Sequence, residues 1–267
     1  MGLDLAIDNA AARARLARLL AKGQKAESLD GKHVCWDLPV KVPIWLSRKR
    51  YFASISRVYQ GERATAKFCG ALAEKINDPL VRDCLRVQME DEQRHAVAYG
   101  RYLEKLDLPF EADPVLAEAY GAACGENVPP QVQMLAYHVI LENEALELQR
   151  TMRWLFPCRL LAQINSRVSR DEARHVAFGK IFLDGRFDHL DPAQRAEIYF
   201  WLKGLWHDCA RATVRGLGGR LFVWAAKVLS EFDRCWSLRA KDLVDVGLIT
   251  SAELVNVDHK VSKYLRS

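Results

Sequence analysis

The chain has 267 residues, 50% of them hydrophobic and 27% charged, with 39 Lys and Arg against 34 Asp and Glu for a net charge of +5. This mild and dispersed balance does not suit a nucleic-acid-binding surface, and the run Arg48-Lys49-Arg50 reads as a solvated helix face. No apolar stretch approaches the roughly 18 residues of a membrane-spanning helix. Arg13, Arg15 and Arg18 interrupt the N-terminal segment where a signal peptide needs an apolar core. The seven cysteines are odd in number and scattered, with no Cys-x-x-Cys pair, so reduced thiols and a cytoplasmic location are expected.

Periodicity and breakers predict helices throughout, with no alternation of period two long enough for a sheet. A short amphipathic helix is expected over 8–21, ended by Gly23. Pro43 is expected to open a long helix to about Ile76. Asp78-Pro79, an N-cap followed by a proline suited to the first turn, starts a second helix to about Leu106. The segment 107–130 carries three prolines, with room for one short helix near 114–123. A third long helix follows Pro130 to about Leu155, and after Pro157 a fourth runs from about 158 to 183. Gly185 and Asp191-Pro192 mark the next break. A fifth helix is expected over 192–216, a sixth from Gly216-Leu217-Gly218-Gly219, and a last one from Ser251 to Leu265, capped by Thr250. The expectation is one all-α domain over 1–267, with a bundle core at about 43–184 and accessory helices at about 8–21 and 192–265.

Within that core one pattern occurs twice. Asp91-Glu92-Gln93-Arg94-His95 and Asp171-Glu172-Ala173-Arg174-His175 share the form Asp-Glu-x-Arg-His at an offset of 80 residues. A carboxylate precedes each copy by 30 residues, Glu62 before Glu92 and Glu142 before Glu172. Residues three apart share a helix face, so each motif glutamate and histidine point the same way. The midpoints of the two intervals, residue 77 and Pro157, fall at helix breaks. Ligands about 15 residues either side of a hairpin turn lie level, roughly 22 Å from it. A carboxylate and a carboxylate-x-x-histidine, given twice, form the set that holds two metal ions inside a four-helix bundle. Oxygen-rich donors with one nitrogen each suit iron or manganese, and an Fe/Fe pair is not distinguished from Mn/Fe. The expected ligands are Glu62, Glu92, His95, Glu142, Glu172 and His175.

Around them, Asp91 and Asp171 are candidates to accept the second ring N–H of the histidine on the opposite hairpin, or else are exposed acids. Arg94 and Arg174 read as structural ion pairs rather than substrate contacts. Glu90 and Glu144, each two residues from a ligand, are expected to face outward, and Glu147 fits the ligand face poorly. Val58, Ala66, Cys69, Gln88, Tyr99, His138, Leu146 and Val168 lie one or two turns from ligands and are expected to line any cavity. Their mostly apolar character points to a dry pocket for an organic substrate, reached past Ala66 and Cys69. Tyr99 is a redox, hydrogen-bonding or plain core tyrosine. His138 is an extra ligand, a hydrogen-bonded buried histidine or a substrate-facing one.

At these residues the chain resembles the ferritin-like di-iron carboxylate superfamily, over about residues 43–184. The strings Glu90-Asp91-Glu92-Gln93-Arg94-His95 and Arg170-Asp171-Glu172-Ala173-Arg174-His175-Val176-Ala177-Phe178 resemble its dioxygen-activating members, the di-iron oxygenases and the ribonucleotide reductase small subunit. Tyr99 falls where that subunit carries its radical tyrosine. The resemblance implies a four-helix bundle of two helical hairpins with additional terminal helices, two Fe ions or a Mn/Fe pair, and dioxygen as co-substrate. It further implies a small organic substrate, an external electron donor and compatibility with a homodimer. An oxygenase or oxidase is the expected activity; an iron-handling ferroxidase without organic substrate is the alternative.

Overall fold

A computed structural model describes residues 7–26, 29, 32–217 and 225–261. Several of its helices begin where short polar side chains take up orphan backbone N–H groups. Asn9 caps α1 (Ala10–Gly23) and Ser47 caps α2 (Arg48–Ala73). Asp78 accepts from Leu80 and Val81 N–H at the start of α3 (Pro79–Glu104). Asp113 does the same for α4 (Pro114–Ala123). The expected start of the second helix at Pro43 is corrected. Leu46 N–H closes a turn on Pro43 C=O, and the Ser47 cap sets the helix start five residues after Pro43, at Arg48.

The third long helix is not uniform. It starts as α5 (Pro130–Met134), widens into a π-helical segment (Leu135–Leu141) and continues as α6 (Glu142–Leu155). Such segments insert an extra residue per turn and concentrate at functional sites. After the break at Pro157, α7 (Arg159–Leu183) completes the second hairpin. Beyond it lie α8 (Pro192–Leu217), α9 (Ala225–Asp245) and α10 (Ser251–Val257), the last opened by a Thr250–Glu253 capping box. The expected start of the sixth helix at Gly218-Gly219, and the end of the last one near Leu265, lie outside the described residues.

The α2–α3 and α6–α7 hairpins pack side by side, α1 lies across α3 and α7, and α8 packs on α2 and α4. Two apolar clusters fill the bundle. One includes Phe68, Leu72, Val81, Leu85, Ile140 and Phe182. The other includes Tyr51, Ile55, Tyr99, Tyr102, Ile164 and Val168. On α2, α3 and α7 the sequence passes from one cluster to the other across the expected ligands, so a polar layer crosses the bundle between them. Outside it, Trp206 of α8 packs against Trp236 and Phe232 of α9 at ring separations of 5.5 and 5.7 Å. Lys180 Nζ on α7 bonds Asp242 on α9 at 2.6 Å, fixing α9 against the bundle. Among the described residues no helix is long and apolar enough to cross a membrane and no disulfide joins two cysteines.

Candidate dinuclear metal centre

All six expected ligands are buried, none more than 4% exposed. They fall into two overlapping groups, Glu62, Glu92, His95 and Glu172, and Glu92, Glu142, Glu172 and His175. In each group one donor atom per residue lies within 4.8 Å of the others. Glu92 and Glu172 belong to both, as expected of carboxylates that span two ions. Glu62 with His95, and Glu142 with His175, stand at the two ends. Both histidines turn Nδ1 inward. His95 Nδ1 is 3.2 Å from Glu62 and 3.6 Å from Glu92 and Glu172. His175 Nδ1 is 3.0 and 3.1 Å from Glu92 and Glu172. Glu92 Oε1 is buried and makes no hydrogen bond of good geometry, although His175 Nδ1 stands 3.0 Å away, as suits two donor atoms turned toward a shared cation rather than toward each other. Three carboxylates and one imidazole at each end fit a hard or borderline divalent ion.

The outer ring nitrogens cross between hairpins. His95 Nε2–H donates to Asp171 Oδ2 and His175 Nε2–H to Asp91 Oδ2, each at 3.1 Å. Arg94 pairs with Asp91, and Arg174 pairs with both Asp91 and Asp171. The four side chains thus form one charge-balanced cluster behind the histidines, facing α1. Burial tends to raise both aspartates, but hydrogen bonds from the histidines and the Arg174 charge bring them down, Asp171 to about 2. In the metal-free protein, burial and the charges of Glu172 and Glu92 push the Glu62 carboxyl well up. Glu142 rises for the same reasons. Against their own burial, the surrounding carboxylates hold His95 and His175 well above the usual imidazole range. Ion binding therefore has protons to displace.

Sequence reasoning placed Gln88 only among cavity-lining positions and did not name Gln149 or Asn165; together the three form a layer of amides. Gln88 Nε2–H donates to Glu142 Oε1 at 2.7 Å, and its oxygen accepts from His138 Nε2 at 2.8 Å. His138 joins neither ligand group, and burial pushes it down to about 3, so it is a neutral imidazole at physiological pH. Gln149 Nε2–H donates to Glu172 at 3.2 Å and is itself braced by Ser169. Tyr99 O–H donates to Asn165 at 2.9 Å. The signal was present: Gln88 lies four residues before Glu92, Gln149 seven after Glu142, and Asn165 seven before Glu172, spacings that return to the same helix face.

A cavity of about 590 Å³ reaches the glutamates from the side away from α1. Its walls are Val58, Gly61 and Thr65 of α2, Leu116 and Tyr120 of α4, and the outer face of α6 with α8 and α9. This corrects the expected lining. Only Val58 of the eight positions faces the cavity. Cys69, Tyr99 and Val168 pack in the apolar clusters, Gln88 and His138 are taken up by the relay to Glu142, and Leu146 is buried elsewhere. Ala66 instead lines a surface groove between α2 and α3 with Met89 and Ala96. Glu144 is also corrected, because outward from the four-helix core is inward toward α8 and α9, and it lines the cavity. Glu90 is exposed, as expected.

Two helical hairpins around a buried carboxylate–histidine layer define the ferritin-like, R2-like bundle class. The sequence matches no family model and no curated protein. Among solved structures, the chain is similar to an R2-like ligand-binding oxidase, a mutant with aerobically reconstituted Mn/Fe cofactor. The match has 17% identity and a TM-score of 0.54, over 92% of this chain and 93% of that one. At that identity the likeness establishes the fold.

Proposed function

We propose that this chain is a dinuclear metal oxidoreductase that uses dioxygen to oxidise a small, partly apolar organic molecule held in the cavity. One observation carries the reading: two donor groups sharing Glu92 and Glu172 open directly onto a space of about 590 Å³. A water occupies roughly 30 Å³, so this volume exceeds what one or two solvent molecules need and falls in the range of small-molecule sites. Iron handling is the weaker reading, because beyond the ligand glutamates the walls are largely apolar, with Val58, Leu116, Leu141, Leu148, Trp206 and Phe232. Arg234 and Arg239 line the passage together with Glu144 and Glu147, rather than leaving an all-carboxylate path for ferrous ions.

When bound, an Fe/Fe or Mn/Fe pair supplies the redox chemistry and the point where dioxygen reacts. The chain does the rest. Glu92 and Glu172, common to both donor groups, would be shared between the two ions, and Glu62 with His95 and Glu142 with His175 would complete one group each. Asp91 and Asp171 keep the outer ring proton on Nε2 of His175 and His95, leaving each Nδ1 lone pair free to ligate. The apolar walls hold the organic group near the carboxylates and limit water. Electrons come from an external donor. Protein isolated from iron-replete cells is expected to hold close to two ions per chain, and the Glu92→Ala/Glu172→Ala double variant to lose nearly all of them. Metal analysis paired with a dioxygen-consumption screen over candidate substrates is the test. Full metal retention in the double variant rejects the ligand set, and dioxygen uptake with no substrate dependence rejects the organic substrate.

A further inference from the structure

The far wall of the cavity, on α8 and α9, holds hydrogen-bond donors that the protein leaves without acceptors. Arg239 is 5% exposed, and its Nε and Nη1 have no hydrogen-bond partner. The indole Nε1 of Trp206 is likewise buried without an acceptor at hydrogen-bond geometry, although it faces the Glu144 carboxylate. Both side chains line the cavity that reaches Glu62, Glu92, Glu142 and Glu172. A buried guanidinium whose donors lack acceptors is costly, and an acceptor brought by a bound molecule would remove that cost.

The charges nearby do not supply that partner. Asp242 Oδ2 is 3.6 Å from Arg239 Nε, beyond hydrogen-bond length, while its other oxygen is held by Lys180 at 2.6 Å. Glu144 lines the same cavity and feels the charge of Arg239, but it accepts no hydrogen bond from the guanidinium Nε or Nη1. Arg57, the arginine on the α2 wall, is neutralised by Asp113 at 2.8 Å.

We propose that Arg239, assisted by Trp206, anchors a carboxylate carried by the molecule in this cavity, so that its apolar body extends toward the metal-facing glutamates. The inference rests on the reading of the cavity as the substrate site and specifies the substrate as an organic acid bound by the end remote from the metals. A planar two-oxygen group matches the fork of a guanidinium, and an indole N–H can donate to the same oxygens. Arg239 is thereby a specificity-determining residue that sets which end of the molecule approaches the reacting centre.

The test is calorimetric and needs no turnover. 4-Phenylbutyrate and its methyl ester, alike in apolar body, are titrated into the metal-loaded full-length protein. The acid is expected to bind at least about tenfold more tightly than the ester. Arg239→Met is expected to abolish that preference with metal content and helical circular dichroism intact. Arg239→Lys should keep part of it, and Trp206→Phe should weaken acid binding several-fold without affecting the ester. Should Arg239→Met fail to fold, the lysine and phenylalanine variants carry the same comparison. Equal binding of acid and ester, binding of neither, or an unchanged preference in the variants overturns the proposal. Acid that binds with the expected preference but is never oxidised, alone or among other acids, counts against the oxidase reading and leaves the anchor standing. Dioxygen consumption driven equally by neutral and acidic compounds removes the anchor alone.

Discussion

Each histidine in the centre is held from both sides, Nδ1 toward the glutamates and Nε2 against an aspartate of the other hairpin. Loss of the aspartate charge should therefore act through the histidine rather than through the fold. Asp171→Asn is expected to leave the helical signal unchanged and weaken metal affinity by roughly 10–100-fold, because Asn can offer an N–H to Nε2 and reverse the tautomer. Competition with a chromogenic chelator measures this. Unchanged affinity would mean that Asp171 serves only the ion pair with Arg174. Much of this residue-scale picture was legible, since a repeated Asp-Glu-x-Arg-His admits few arrangements once placed on helices. The amides were less so, because one Gln or Asn on a helix has no signature until its burial is known.

Among the elements, α2 separates two faces that a helical wheel alone does not distinguish. Thr65 and Ala66 are adjacent, yet Thr65 lines the cavity and Ala66 the groove shared with α3. Thr65→Phe is expected to cut substrate-dependent dioxygen consumption at least tenfold while metal content is kept, and Ala66→Phe to leave turnover within about twofold of the parent. The reverse ranking would place the substrate in the α2–α3 groove. Spacing could predict that positions one turn from a ligand share its side of the helix. It could not predict which neighbour fills that side. The bundle core occupies it along α3 and α7, whereas α8 and α9 stand off from α2 and α6 and leave space. Those later helices carry no repeat and no ligand, so Arg239, Trp206 and the inward turn of Glu144 had no sequence signal. The π-helical segment was equally silent, because Leu135–Leu141 reads as an ordinary apolar helical run.

For the molecule as a whole, the polar layer between two apolar clusters makes stability depend on protons and metal together. In the metal-free protein Glu62, Glu142, His95 and His175 all have raised affinities for protons in the folded state. The sign follows from linkage: where the native chain binds more protons than the unfolded one, stability falls as pH rises. For the glutamates this begins above the usual carboxylate pKa near 4.5. For the histidines the contribution is complete below about 6.5 and is lost as pH rises through the higher folded value. The Tm of metal-free protein is therefore expected to fall between pH 6 and pH 9, and excess ferrous ion under anaerobic conditions to remove most of that fall. Asp91 and Asp171 act oppositely, contributing above the usual aspartate pKa and losing that contribution in strong acid. Differential scanning fluorimetry across pH, with and without metal, decides it. A metal-free Tm that rises from pH 6 to 9 would contradict the assignment of protons to this cluster.

The exchange of aspartates between hairpins has a further consequence. Each hairpin carries the group that the other's histidine requires, which is the logic of an isologous contact between two copies of one surface. Joined in one chain, the halves are free to diverge wherever that contact is not touched. The 80-residue offset carries Val58 onto His138 and Tyr99 onto Gly179, and the pairs trade bulk. Val58 and Tyr99 share one apolar cluster, whereas His138 lies so close to Gly179 that no side chain could stand there. The first half thus supplies a phenol that donates to Asn165 of the second, and the second an imidazole that is relayed through Gln88 of the first to Glu142. Two identical ions in this twofold-looking frame would occupy inequivalent surroundings, with different hydrogen bonding and hence different reduction potentials, so the asymmetry of the pair is set by side chains that touch neither ion.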